Sequence, residues 1–124
     1  MSTPSKKKVL IIDDNPGILF ASRQALEFEG YEVFSSTRFP GERSVITSSP
    51  DIIFLDVFLA DQDGRAIARE LKTRAKTKHI PIVLLSAYPG IDKFAIAAGA
   101  DDYLSKPFDL EEFLAIAKKY TTDA

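Results

Sequence analysis

The sequence predicts an α/β fold in which five β-strands alternate with five α-helices, (βα)5, to form one doubly wound parallel sheet. Two observations predict this fold: five short apolar runs, several of them rich in Val and Ile, and a segment with helical period after each run. Apolar residues that are nearly continuous along a run are typical of strands covered on both faces. Right-handed crossovers between such strands place helices on both sides of an open sheet.

The predicted strands are KVLII (8–12), YEVFS (31–35), DIIFLD (51–56), IPIVLLS (80–86) and DYL (102–104). The first helix is predicted to begin at Asn15-Pro16, an N-cap followed by proline at the first helical position, and to end at Gly30. Its apolar residues are predicted to share one face: Ile18, Ala21, Ala25 and Phe28.

The sequence patterns that predict the remaining helices differ in strength. The third opens at Asp63-Gly64, and the last begins at Asp109, which has capping-box spacing to Glu112. The second and fourth are predicted at roughly 40–48 and 91–98 from weaker patterns. The apolar markers of the third helix are Ile67, Leu71 and Ala75, and those of the last are Leu110, Phe113, Leu114 and Ala117.

Composition narrows the class of protein. The 124 residues fit one domain, 1–124, with an ordered core from about 7 to 120. A net charge of −2 gives no support to direct nucleic-acid binding. There is no cysteine and no apolar stretch near the ~18 residues of a membrane span, and the start MSTPSKKK does not resemble a signal peptide. These features predict a cytoplasmic protein that does not bind membranes.

Polar residues stand at the carboxyl ends of four predicted strands. Asp13-Asp14 follow the first strand, Asp56 ends the third, Ser86 ends the fourth and Lys106 lies just past the fifth. Asp56 is the one carboxylate in the apolar run IIFLDVFL, where an unpaired charge costs several kcal/mol. Since ligands bind at this edge of doubly wound sheets, these residues are expected to converge.

The residue types indicate phosphoryl chemistry. Three carboxylates held close together repel one another unless a cation offsets them, and a site built only from oxygen donors suits Mg²⁺. Ser86 offers a hydroxyl and Lys106 a counter-charge for a phosphoryl group. Asp56 is then the nucleophile that forms an acyl phosphate. The alternative is that each residue is structural, since Asp14, Asp61 and Asp63 are also explained as helix caps or turn formers.

Two further features carry no predicted role. His79, the only histidine, is expected to be a solvated loop residue. The glycines form no phosphate-binding loop pattern, so nucleotide binding has no support.

Several motifs, in order along the chain, resemble the receiver domain of two-component response regulators from about Lys7 to Tyr120. They are VLIIDDNP (9–16), PDIIFLD (50–56) with DG (63–64), LLSA (84–87), AAGADDYLSKPF (97–108) and DLEEFL (109–114). The resemblance implies a flavodoxin-like sheet with strand order 2-1-3-4-5.

The resemblance also implies roles for individual residues. Asp13 and Asp14 correspond to the acidic pair that binds Mg²⁺, with Asp56 as phosphoacceptor and the backbone carbonyl of Phe58 as a further metal ligand. Ser86 and Lys106 correspond to the phosphate-binding pair. Tyr103 corresponds to the aromatic switch residue, which acts with Ser86, and Lys106-Pro107 to a cis peptide bond.

The implied function is a self-modifying switch in a phosphorelay, without turnover of an external substrate. It would catalyse its own phosphotransfer and dephosphorylation, taking the phosphoryl group from a phosphohistidine on a sensor histidine kinase or a histidine phosphotransfer domain. Its output would be a protein target or a homodimer through the fourth helix, fifth strand and fifth helix. Three alternatives are a constitutive adaptor, a phosphohydrolase of the haloacid dehalogenase type and a flavodoxin-like electron carrier.

The residues disfavour each alternative. No acidic or lysine position of the family is lost, Phe58 stands where the phosphohydrolase needs a second Asp, and no Ser/Thr-rich loop follows the first strand. The sequence still departs from the family in three places. Ser86 replaces the commoner Thr, Leu59-Ala60 replaces Met-Pro, and the segment 86–99 is about two residues short, which is expected to shorten or redirect the fourth helix.

Overall fold

The computed structural model describes residues 6–122. Its elements in chain order are β1 (Lys8–Ile12), α1 (Pro16–Phe28), β2 (Glu32–Ser36), α2 (Glu42–Ser48), β3 (Ile52–Asp56), β4 (Phe58–Leu59), β5 (Gln62–Asp63), α3 (Gly64–Thr73), β6 (Ile82–Ser86), α4 (Ile91–Ala98), β7 (Asp102–Ser105) and α5 (Leu110–Thr121).

The main sheet has five strands in the order β2-β1-β3-β6-β7, and all neighbouring strands are parallel. Because β6 and β7 are the fourth and fifth predicted strands, the doubly wound fold and the order 2-1-3-4-5 are confirmed. The central strand β3 is buried along its whole length, as are residues 82–86 of β6. Their continuous apolar sequences therefore reflect helical cover on both faces.

The helices divide the core into two halves, one on each face of the sheet. One face packs against α2, α3 and α4 through residues such as Val45, Leu71 and Ala95. The other packs against α1 and α5, where Leu26 and Phe113 are fully buried.

Three helix N-termini are capped as the sequence predicts. The side chain of Asn15 accepts hydrogen bonds from the amides of Gly17 and Ile18, Asp63 accepts from Arg65, and Asp109 accepts from Glu112. Capping satisfies amides that would otherwise lack partners, so these residues fix where α1, α3 and α5 begin.

The predicted apolar face of α1 is wrong for two of its four residues, since Ile18 and Ala25 are half-buried but Ala21 and Phe28 are not. Ser22 and Leu26 are the buried residues of the helix, whereas Ala21 is exposed and Phe28 is 90% exposed. The apolar residues of α1 surround most of the helix, so their spacing alone does not identify the side that meets the sheet. Ala75 is also wrongly placed in the third helix, because α3 ends at Thr73.

A small antiparallel hairpin, β4-β5, lies between β3 and α3 and was not predicted. Phe58 pairs with Asp63, and Leu59 pairs with Gln62. Strands of two residues are too short to show an alternating pattern, which explains the omission. The hairpin follows Asp56 directly and so forms one wall of the site at the sheet edge.

Candidate functional site

Asp13 and Asp56 are brought side by side by the register of β1 and β3. Ile12 pairs with Leu55, so the next residue of each chain segment lies at the same sheet edge. Both carboxylates are buried, with Asp13 fully inaccessible and Asp56 5% exposed, while Asp14 beside them is exposed. Three acidic side chains thus meet where β1 and β3 end.

Lys106 is the residue that follows β7, and its side chain reaches the same edge of the sheet. Its backbone amide donates to the carbonyl oxygen of Ser86 at 2.9 Å, which ties the β7–α5 connection to the end of β6. Its Nζ lies 2.7 Å from Asp13 Oδ2 and 3.5 Å from Asp56 Oδ2. One ammonium group therefore faces two buried carboxylates, and offsets only part of their charge. The Lys106-Pro107 peptide bond is cis.

The electrostatic environment raises the pKa of Asp56 from 3.8 to about 6. Burial is the largest cause, and the charge of Asp13 adds to it, whereas Lys106 and the Phe58 amide act in the opposite direction. A further cation close to Asp56 would stabilise the ionised form of its carboxyl group and lower this pKa.

The donor set fits a hard divalent cation. One carboxylate oxygen from each of Asp13, Asp14 and Asp56 lies within 4.8 Å of the other two. Asp13 Oδ2 is buried, and no described residue donates a well-directed hydrogen bond to it, although Lys106 lies close. An oxygen-only set of this kind, partly exposed through Asp14, is typical of magnesium sites.

Ser86 ends β6 next to Asp56, and its side chain is oriented by the following loop. Its Oγ accepts a hydrogen bond from the Tyr88 amide at 2.9 Å, so its O–H remains available as a donor. A cavity of about 330 Å³ opens between β3 and β6. Its polar floor is Asp56, Ser86 and Lys106, and its apolar rim includes Phe58, Tyr88 and Pro89.

Two aromatic side chains stand at the mouth of this cavity. The rings of Phe58 and Tyr88 are tilted against each other with centroids 5.3 Å apart, and about half of each side chain is exposed. The guanidinium carbon of Arg65 lies 5.8 Å from the centre of the Phe58 ring. Arg65 also pairs with Asp63, and this hydrogen-bonded pair lowers the pKa of the Asp63 carboxyl.

The remaining predicted residues lie around or away from this centre. Tyr103 lies on β7 and is 42% exposed, so its ring is at the protein surface. Asp61 forms an exposed ion pair with Arg38, and Asp63 caps α3, so these two acids have structural partners. His79 is exposed in the loop before β6, as predicted.

Gly64 has a role in the site that its sequence pattern does not reveal. A Cβ at this position would lie 2.2 Å from the backbone oxygen of Asp56 and 2.9 Å from the Cα of Val57. The start of α3 therefore packs directly on the backbone that carries Asp56, and the Gly64 amide donates to the Val57 carbonyl at 2.8 Å. The Asp-Gly pair indicated a helix start, but not this close approach.

Replacing Gly64 with Ala is expected to destabilise the protein by ~3 kcal/mol, because the backbone at Asp56 must shift to admit the methyl group. Urea unfolding monitored by circular dichroism would measure the loss. Gly17→Ala in α1 is the matched control, since the nearest atom to its added Cβ is the end of the Asn15 side chain at 3.2 Å. A Gly64→Ala protein as stable as the Gly17→Ala protein would contradict the close packing of Gly64 on the backbone of Asp56.

Solved structures with the same fold place the chain in the class of CheY-like receiver domains. A CheY-like receiver domain protein from Methanospirillum hungatei JF-1 superimposes with a TM-score of 0.82 at 28% identity, covering 93% of each chain. The receiver domain of a sensor histidine kinase from Pseudomonas aeruginosa PAO1 gives a TM-score of 0.83 at 28% identity, covering 94% of this chain and 98% of its own. That structure has a magnesium ion coordinated in its active-site cleft.

The family model of the response regulator receiver domain matches residues 9–118. The chain therefore belongs to the response regulator receiver domain family, and it is a receiver domain of two-component signalling. It is 40% identical over 111 residues to the DNA-binding dual master transcriptional regulator RpaA of Synechocystis, covering 87% of this chain and 46% of RpaA. It is 40% identical over 110 residues to the transcriptional regulatory protein KdpE of Mycobacterium tuberculosis, covering 86% and 47%.

The chain spans about half the length of these curated relatives. Within residues 6–122, no helix combines the length and the apolar character needed to cross a membrane.

Proposed function

We propose that this receiver domain accepts a phosphoryl group on Asp56 with Mg²⁺ and thereby changes the surface it offers to a partner. The observation that carries the proposal is the position of Asp56, which is buried at the sheet edge between two acidic side chains and one lysine. A carboxylate with a purely structural role would be destabilised at this edge, because burial and the charge of Asp13 both raise the pKa of Asp56.

The transfer step is a displacement at phosphorus. A carboxylate oxygen of Asp56 attacks the phosphorus of a phosphohistidine, the P–N bond breaks, and the imidazole nitrogen leaves with the bonding electrons and takes up a proton. The donor is a sensor histidine kinase or a histidine phosphotransfer domain. An acyl phosphate and a neutral imidazole are the products.

The side chains around Asp56 would hold and neutralise the transferred group. Lys106 is close enough to shift its ammonium group from the carboxylates to a phosphoryl oxygen, and the Ser86 hydroxyl would donate to another. Asp13, Asp14, Asp56 and the backbone carbonyl of Phe58 would hold Mg²⁺. When bound, the metal neutralises charge that develops on the phosphoryl oxygens in the transition state.

The switch would begin at Ser86. Drawing its hydroxyl toward the phosphoryl group vacates space beneath β7, and Tyr103 would move from its exposed position into that space. The surface made by α4, β7 and α5 would change as a result. It would bind a protein target or a second copy of the domain, and the domain itself would make no direct contact with nucleic acid.

Return to the resting state would be self-catalysed hydrolysis of the acyl phosphate. A water oxygen attacks phosphorus, the bond to the Asp56 oxygen breaks, and inorganic phosphate leaves. The domain is thus its own substrate in both directions, which distinguishes it from an enzyme that turns over an external substrate.

Acetyl phosphate with Mg²⁺ is expected to add one phosphoryl group to the unaltered chain, detected by intact-protein mass spectrometry. Asp56→Asn should show no adduct, and removal of Mg²⁺ with a chelator should abolish the adduct in the unaltered chain. Asp61→Asn is the matched control, because Asp61 is an exposed acid in the adjacent hairpin. Phosphorylation that persists in Asp56→Asn would contradict the proposal.

A further inference from the structure

Four side chains form a continuous series of contacts across the mouth of the Asp56 site. The hairpin register places Phe58 directly opposite Asp63. The carboxylate of Asp63 accepts from Arg65 Nε at 3.0 Å through one oxygen and from Arg65 Nη2 at 2.8 Å through the other. Arg65 in turn faces the Phe58 ring, and that ring contacts Tyr88. The series links β4-β5 to the loop that follows β6.

Each contact restrains the next one. A guanidinium held by two parallel hydrogen bonds to one carboxylate has a fixed orientation, unlike one held by a single bond. A fixed cation near a ring face stabilises one position of that ring. Phe58 is 47% exposed, so packing alone leaves the ring much of its rotational freedom.

We propose that Arg65 is a positioning residue that holds the Phe58 ring against Tyr88 over the approach to Asp56, and so slows the arrival of water at the acyl phosphate. The inference rests on the proposed function, since it concerns the lifetime of the phosphorylated state. Arg65 touches neither the phosphoryl group nor the metal site in this role. It acts through Phe58.

The test compares the decay of phosphorylated Asp56 after acetyl phosphate is removed. Arg65→Met, which keeps an unbranched apolar stem without the charge, is expected to shorten the lifetime about threefold, the effect of losing one exposed cation–π contact. Asp63→Asn should have a similar effect, because the amide oxygen still caps α3 but the ion pair is lost. Arg65→Lys, which keeps the charge without the bidentate geometry, should give an intermediate lifetime.

A double-mutant cycle separates positioning from a general loss of structure. If Arg65 acts through Phe58, then Arg65→Met should have no effect in a Phe58→Ala background. Arg69→Met is the control, since Arg69 is an exposed residue one turn further along α3. Circular dichroism and thermal unfolding would verify that every variant is folded.

Two results would overturn the inference. One is a lifetime of Arg65→Met equal to that of the unaltered chain, and the other is an equal acceleration with and without the Phe58 ring. A chain that acquires no covalent phosphate at all would overturn the proposed function itself, and that outcome is distinct from both.

Discussion

Replacing Asp56 with Asn is expected to raise the free energy of unfolding of the metal-free protein by ~3 kcal/mol at pH 7.5. The pKa of Asp56 is raised from 3.8 to about 6, so the folded protein holds this proton more tightly than the unfolded chain does. The cost of ionising the buried carboxylate is therefore absent at low pH, grows as pH rises from about 4 to 6, and is fully present above that range. Asparagine avoids this cost.

The gain should depend on pH and on metal. Urea unfolding in the presence of a chelator should show the difference shrinking to ~1 kcal/mol at pH 4.5, where Asp56 is already protonated in the folded state. Saturating Mg²⁺ should reduce the difference at pH 7.5, because the ion should bind the chain that keeps the Asp56 carboxylate more tightly than the Asp56→Asn chain. Asp61→Asn should change stability little at either pH, since Asp61 is exposed. An Asp56→Asn protein less stable than the unaltered chain at pH 7.5 would contradict the electrostatic account.

Replacing Phe58 with Asn is expected to shorten the lifetime of the aspartyl phosphate about tenfold, equivalent to a barrier lower by ~1.4 kcal/mol. The Phe58 ring lies at the mouth of the cavity above Asp56 and cannot orient a water molecule. Asparagine removes the shield and supplies an amide that can hold a water in line with the bond to be broken. Loss of phosphate over time, followed by mass spectrometry, gives the rate.

Phe28→Asn is the control for this substitution, because Phe28 is 90% exposed at the far end of α1. It should decay at the rate of the unaltered chain. Equal rates for Phe58→Asn and the unaltered chain would show that the aromatic mouth does not limit hydrolysis. Because Tyr88 remains in the Phe58→Asn variant but loses its contact with the Phe58 ring, the comparison measures the removal of that ring together with this contact.

The sheet and the cluster at its edge could be predicted from the sequence for one physical reason. Strands that are buried on both faces have nearly continuous apolar sequences, so a polar residue that interrupts or follows such a run marks the end of a strand. Asp13, Asp56, Ser86 and Lys106 stand at such positions in the sequence, and parallel strands bring these ends to one edge of the sheet. The resemblance to receiver domains then supplied the strand order, which residue spacing alone does not determine.

Features that depend on contacts between distant segments were not predictable. The inward side of α1 is determined by how the helix sits on the sheet, and Phe28 and Ser22 exchange the positions that hydrophobicity alone would give them. The hairpin β4-β5 and the contact between Gly64 and the Asp56 backbone arise from a tight turn after β3. The contacts of Arg65 and Tyr88 with the Phe58 ring depend on that turn, so the sequence alone does not predict them.

The most direct measurement of the central claim is the position of the acyl phosphate. Treating the phosphorylated protein with sodium borohydride reduces an aspartyl phosphate to homoserine, which peptide mass spectrometry can place at a single residue. We predict homoserine at position 56 and none at Asp13, Asp14, Asp61 or Asp63, with formation that requires Mg²⁺. Homoserine at any of those other acids in place of position 56 would contradict the assignment of Asp56 as the phosphoacceptor.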